Sequence, residues 1–240
     1  MSEAGRIWNH FVACPGATVD GKVAIASRHA IGGLIRVIEW RRPEKILELG
    51  AGIGTLTFTI LATATRLELH RRPGFCFYTI EDHPLCLEQL ARNLSRFAGL
   101  YRIVGSTEEL RDAAVGFDLI VVDGGGDVPG DIKVMDFSNM LAPRGVILVE
   151  GYRLFQRKLI AQWYGDRKPI YLKSEPLRRQ LHSAATSEPA ENKPYHLFVF
   201  EPAGVQRLRW MAGRAWNEGL IRLLKRVRWL LRSPISSARS

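Results

Sequence analysis

The stretch Glu48-Leu49-Gly50-Ala51-Gly52-Ile53-Gly54 constrains this chain more than any other. It follows the apolar run Lys45-Ile-Leu-Glu-Leu and precedes another apolar run, so glycines at alternate positions stand between a strand and a helix. Glycines there let the backbone turn sharply and approach a ligand with no side chain in the way. A dinucleotide fingerprint, G-x-G-x-x-G, would need glycine at position 55, where Thr55 stands. A phosphate loop would need a Gly-Lys-Ser/Thr ending, which this stretch lacks. Ile46 to Thr65 carries Glu48 as its only charge over 20 residues, nominally enough to span a bilayer. The glycines in its first half favour a buried strand, a turn and a buried helix, so no transmembrane helix is expected.

Apolar runs recur at 45–49, 75–80, 101–104, 117–122 and 145–149, with helix-like segments at 54–65, 84–98, 106–114 and 130–141 between them. An earlier helical stretch carries Ile31, Leu34, Ile35 and Ile38 and is stopped by Pro43. This alternation predicts an α/β fold: a Rossmann-like, doubly wound, mostly parallel seven-stranded sheet with helices on both faces. After Glu150 a helix over 151–164 and the short strand Ile170-Tyr-Leu are expected. Residues 173–194 read as a long loop, and Tyr195-His-Leu-Phe-Val-Phe200 as a closing strand. Residues 1–22 read as an N-terminal cap or lid, 23–204 as the main domain, and 205–240 as a separate tail.

In an open α/β sheet, ligands lie across the carboxyl ends of the strands. Three expected strands end there in acids: Glu81, Asp123 and Glu150. Glu81 is suited to accept both hydroxyls of a ribose. Capping of the next helix is its alternative role, and Asp82, just before Pro84, is the better placed of the two for that. Gly105-Ser106-Thr107 closes the preceding strand and is placed to contact an adenine. Asp118, at the start of its strand, is expected to be structural. Asp123 and Glu150, with His29 from the earlier helix, are the candidate general bases. Tyr152 and Arg153 follow the strand end and are placed to touch an acceptor; Arg178 and Arg179 in the long loop could clamp an anionic one.

The acid-x-G-x-G-x-G spacing, with ILELGAGIGT (46–55), YTIEDHPLCLEQ (78–89), FAGLYRIVGSTEEL (97–110), FDLIVVDG (117–124) and GVILVEG (145–151), resembles the class I S-adenosylmethionine-dependent methyltransferases. Within them the chain looks most like the small O-methyltransferases of the catechol O-methyltransferase type, over residues 27–201. The resemblance implies methyl transfer from S-adenosylmethionine to a hydroxyl of a small molecule, a glycan or a lipid-linked substrate, and makes 23–204 the methyltransferase domain. The implied cofactor set is Glu48, Gly50, Ala51, Gly52, Gly54, Glu81, Asp82, Ser106, Thr107 and Asp123. Metal-dependent members hold a divalent cation with an Asp at the position of Asp123 and an Asp-Asn pair after the next strand. Here that pair is Glu150-Gly151, and glycines at 124–126 replace the basic lysine. No metal is therefore expected, with Mg²⁺ on Asp123 and Glu150 the less favoured alternative.

Residues 1–204 hold 25 Lys+Arg against 23 Asp+Glu, whereas residues 205–240 hold 9 against the single Glu218. The tail thus holds +8 of the net charge of +10, and arguments about partners from charge apply to the tail alone. Leu208, Ala212, Trp216, Leu220, Leu223, Val227 and Leu231 recur at helical spacing with arginines between them. Such a tail fits packing on its own domain or, over 205–232, an anionic membrane surface. A nucleic acid is a less favoured partner, and homo-oligomerisation stays open. The alternatives in function are an RNA or protein methyltransferase that holds its substrate with this tail, and a non-catalytic module of the same fold tethered at a membrane. Three cysteines show no pairing pattern, and no leader segment is read, which points to the cytoplasm, with the inner membrane surface as a peripheral alternative.

Overall fold

A computed structural model describes residues 1–19, 22–23, 25–105, 108–110, 116–123, 140–151, 153–163, 169–174 and 193–200. They belong to one of two units into which the chain divides, Met1–Glu175 with Ser187–Glu201. Ser106, Thr107, Tyr152, Arg178, Arg179, the glycines at 124–126, residues 130–139 of the helix expected over 130–141 and the tail 205–240 lie outside the described residues.

The strands follow the apolar runs. β3 (Lys45–Leu49), β4 (Cys76–Ile80), β5 (Arg102–Val104), β6 (Phe117–Val122), β7 (Leu141–Glu150), β8 (Ile170–Ser174) and β9 (Tyr195–Val199) form one sheet, and Thr18–Val19 and Lys22–Val23 (β1, β2) pair as a small hairpin. The sheet order is β5-β4-β3-β6-β7-β9-β8, with β9 antiparallel to both its neighbours and the other pairs parallel. Side chains alternate between its faces, as period-2 geometry requires. Ile46, Phe77, Leu119, Val121, Val146 and Leu148 join one core, and Leu47, Tyr78, Ile120, Val122, Ile147 and Phe198 join the other. Both faces are covered, so the central strands read as continuous apolar runs.

The first face is covered by α1 (Glu3–Val12), α2 (Arg28–Arg41), α3 (Thr55–Arg66) and α4 (Pro84–Asn93), and the second receives Ile160 of α5 (Leu154–Trp163). The first segment, expected as a cap or lid, contributes to this core directly: Phe11 of α1 is fully buried and meets the Phe58 ring edge-on, 5.5 Å between centroids. The helix expected over 84–98 ends at Asn93 and is followed by a single 3-10 turn, Ser95–Phe97. In the expected helix 106–114, the described residues Glu108–Leu110 form a 3-10 turn. Leu141, expected to end a helix, instead starts β7. Pro143 masks that strand in sequence because it donates no ladder hydrogen bond, and it falls where the β6–β7 register shifts from Phe117↔Leu141 to Leu119↔Val146. Among the described residues, no helix is long and apolar enough to cross a membrane. Ile46 to Thr65 are β3, the glycine turn and α3.

Strand order reverses at β3, with β4 on one side and β6 on the other. The crevice at the carboxyl ends of β3 and β6 is the place where such sheets take ligands.

Candidate functional site

The glycine turn leaves β3 at this reversal point. Gly50 and Ala51 donate their amides to the Ile80 carbonyl at the end of β4, at 3.0 and 3.2 Å. Gly54, the N-cap of α3, has φ 97°, and a Cβ there would stand 2.8 Å from Leu90 Cδ1 of α4. The third glycine is thus demanded twice, by backbone conformation and by the approach of a neighbouring helix.

Glu81 ties the turn to the next strand. Its Oε2 accepts from the Gly52 amide at 2.6 Å, and its Oε1 accepts from the amides of Asp82 and His83 at 3.1 and 3.0 Å. These two amides lie ahead of α4, whose N-cap is His83 with no side-chain capping bond, so the capping expected of Asp82 is not made; Asp82 is exposed.

Glu48, one of the residues that the resemblance implies against the cofactor, has its carboxyl buried under α3. It shares the first face of β3 with Ile46, two residues before it, so its side chain runs under α3 and is fully buried. Oε2 accepts from the hydroxyls of Thr57 at 2.7 Å and Thr79 at 3.0 Å, while Oε1 has no hydrogen-bond partner among the described residues. Burial, above all, lifts its carboxyl to about 8.

Asp123 ends β6 beside the glycine turn, its amide donating to the Leu49 carbonyl at 2.9 Å. One strand over, Glu150 ends β7 and its Oε1 accepts from the Ser27 amide at 3.2 Å. Gly151, at φ 71°, turns the chain back. This brings the Arg153 guanidinium 2.8 Å from Asp123 Oδ1 and 3.8 Å from Glu150 Oε2, and Arg153 also donates to the Asp123 carbonyl. Burial and the nearby Glu150 push the Asp123 carboxyl up to about 7, against the pull of Arg153. Asp118, by contrast, sits at the opposite end of β6 and accepts from the amides of Glu44 and Lys45 at 2.9 and 3.0 Å, the structural role expected.

His29, in the first turn of α2, also reaches this edge. Its Nε2 is 3.0 Å from Ser174 Oγ, and its ring lies 5.0 Å from that of Tyr195. The structure thus gathers Glu81, Asp123, Glu150 and His29 with the glycines at one sheet edge. Two further members were missed in sequence, Ser27 and Tyr195. Ser27 was visible as a helix N-cap, its hydroxyl accepting from Ala30 at 3.1 Å. Tyr195 reaches the same edge because β9 runs antiparallel, placing its first residue opposite Glu150.

No protein-family model matches the chain, and no curated protein does. Solved structures do. The O-methyltransferase TomG from Streptomyces achromogenes, in complex with S-adenosylmethionine, is 16% identical with TM-score 0.55, covering 84% of this chain and 91% of its own. The S-adenosylhomocysteine-bound methyltransferase PaMTH1 from Podospora anserina is 18% identical with TM-score 0.54, covering 84% and 89%. Precorrin-6y C5,15-methyltransferase from Geobacter metallireducens is 16% identical with TM-score 0.53, covering 78% and 94%. The chain has the Rossmann-like fold of these methyltransferases.

Proposed function

We propose that the chain transfers a methyl group from S-adenosylmethionine to a hydroxyl of a small molecule, a glycan or a lipid-linked substrate. The observation that carries this reading is the short bond between the Gly52 amide and Glu81 at the strand-order reversal, which fixes a side-chain-free cradle beside an acid suited to a ribose. The cofactor would supply an already activated methyl on its sulfonium, so the protein's share is binding, orientation and proton removal. The neighbouring acid pair supplies that last part: a carboxyl near 7 at Asp123 suits a general base working around neutral pH. Leu154 and Phe155, 56% and 45% exposed beside Arg153, support an acceptor with an apolar portion. Cys14, Cys76 and Cys86, none of them in a disulfide among the described residues, support a reducing, cytoplasmic setting.

Calorimetric titration of the full chain with S-adenosylhomocysteine tests the reading. A micromolar constant, about −8 kcal/mol, that weakens at least tenfold in Glu81→Ala is expected. No heat from the folded wild-type chain would refute it.

A further inference from the structure

Asp123 and Glu150 close adjacent parallel strands, and one guanidinium reaches both. We infer that Arg153 is the resident cation of the Asp123–Glu150 pair, and that this site holds its acceptor through hydrogen bonds instead of chelation to a divalent metal. A bridging Mg²⁺ would take carboxylate oxygens at about 2.0–2.1 Å, and Ca²⁺ at about 2.3–2.6 Å. The space between the two acids instead holds Arg153 Nη2, at 2.8 Å from Asp123 Oδ1 and 3.8 Å from Glu150 Oε2. Glu150 Oε1 is already engaged by the Ser27 amide at 3.2 Å. Position 151, where an amide ligand would stand in the metal-binding pattern, is a glycine whose φ of 71° serves to turn the chain. Among the described residues, no group of three or more His, Cys, Asp or Glu is arranged to hold a metal. The donor set therefore does not fit a divalent ion.

Burial makes the charge balance consequential. The side chains of Arg153, Asp123 and Glu150 are 18%, 16% and 4% exposed. Removing the guanidinium would leave two facing acids with little water to screen them. Because this cation is covalently attached, it neither exchanges nor opens coordination positions. An acceptor then needs no pair of adjacent oxygens to be chelated, and a single hydroxyl suffices. Only this consequence for the acceptor rests on the methyl-transfer reading; the charge assignment stands on the geometry.

The test is a Mn²⁺ titration of the full chain, followed by water-proton relaxation. It uses wild type, Asp123→Asn, Arg153→Ala and Arg153→Ala/Glu150→Gln, each with and without S-adenosylhomocysteine. Wild type is expected to show no Mn²⁺ site tighter than about 1 mM. Arg153→Ala is expected to gain a site at least tenfold tighter, lost again in the double variant. A wild-type site that disappears in Asp123→Asn overturns the assignment, as does an Arg153→Ala chain that folds and gains nothing. Should Arg153→Ala fail to fold, thermal unfolding of the double variant decides. Recovery of a cooperative transition supports the assignment, because neutralising Glu150 then replaces the guanidinium, and no recovery overturns it. S-adenosylhomocysteine heats from the same samples separate this result from failure of the cofactor reading.

Discussion

Replacing Glu48 with Gln should change how stability depends on pH. The Glu48 carboxyl rises from an ordinary 4.5 to about 8, mainly because it is buried, and the nearby Asp123 and Glu81 push in the same direction. A carboxyl whose folded value lies above its unfolded one contributes stability that is fully present below about pH 4.5. That contribution is lost progressively as pH rises to about 8. At about 1.4 kcal/mol per pH unit, the interval amounts to about 5 kcal/mol, comparable with the whole stability of a marginal domain. Gln keeps an oxygen for the Thr57 and Thr79 hydroxyls and never ionises. Its NH₂ takes the place of Oε1, which has no partner among the described residues, costing about 1–3 kcal/mol at every pH. The diagnostic is therefore the slope. Urea unfolding followed by circular dichroism from about pH 5 to 8 should show wild type losing stability relative to Glu48→Gln by several kcal/mol. Parallel curves would refute the argument, because they would mean the carboxyl is ionised in the folded chain or hydrated.

Two further substitutions test the packing around the site. Gly54→Ala combines a φ of 97° with a Cβ 2.8 Å from Leu90 Cδ1, and should lower stability by about 1–3 kcal/mol; an unchanged urea midpoint would mean that turn and α4 separate freely. His196 is buried against Tyr171, Arg157 and Lys173, with its Nδ1 2.7 Å from the Tyr171 hydroxyl. Burial, then Arg157 and Lys173, hold its pKa down at about 4. Its stability contribution is thus present above about 6.5 and lost as pH falls to about 4, worth about 3 kcal/mol. His196→Gln should flatten the acid side of the stability curve, and an unaltered acid limb would exclude His196 as its source.

The sheet was legible because a parallel sheet buried on both faces demands unbroken apolar runs, and Ile46 to Leu49 and Phe117 to Val122 satisfy that demand locally. The glycine turn was legible for a similar reason: Gly54 is required by its own φ and by Leu90. What sequence could not resolve were partners chosen in three dimensions. Glu48 and Glu81 are both acids flanking the same turn. Strand alternation sends the first under α3, while the end of β4 leaves the second free to reach the Gly52 amide. Arg153 was readable as a residue near an acceptor, but its service to Asp123 and Glu150 depends on the Gly151 turn and on the adjacency of β6 and β7. Pro143 concealed the start of β7 because the rule that prolines leave strands holds for regular ladders, and this ladder shifts register there.

Glu81 has a further consequence for cofactor binding. An ionised carboxylate offers about four lone-pair sites, and three of those on Glu81 are taken by the amides of Gly52, Asp82 and His83. Two ribose hydroxyls need two sites, so binding them both must release one amide. The Gly52 bond, at 2.6 Å, is the shortest and fixes the turn. The Asp82 bond is the longest at 3.1 Å and belongs to an exposed residue, whose amide can pass to water. The first turn of α4 tolerates this because Pro84 begins it without an N–H to satisfy. Amide hydrogen exchange by NMR should therefore show, on adding S-adenosylhomocysteine, faster exchange at Asp82 and slower exchange at Gly52. Slower exchange at both would mean that the ribose binds Glu81 through a single hydroxyl or not at all. Faster exchange at Gly52 would mean that the cofactor remakes the turn instead of docking on one already formed.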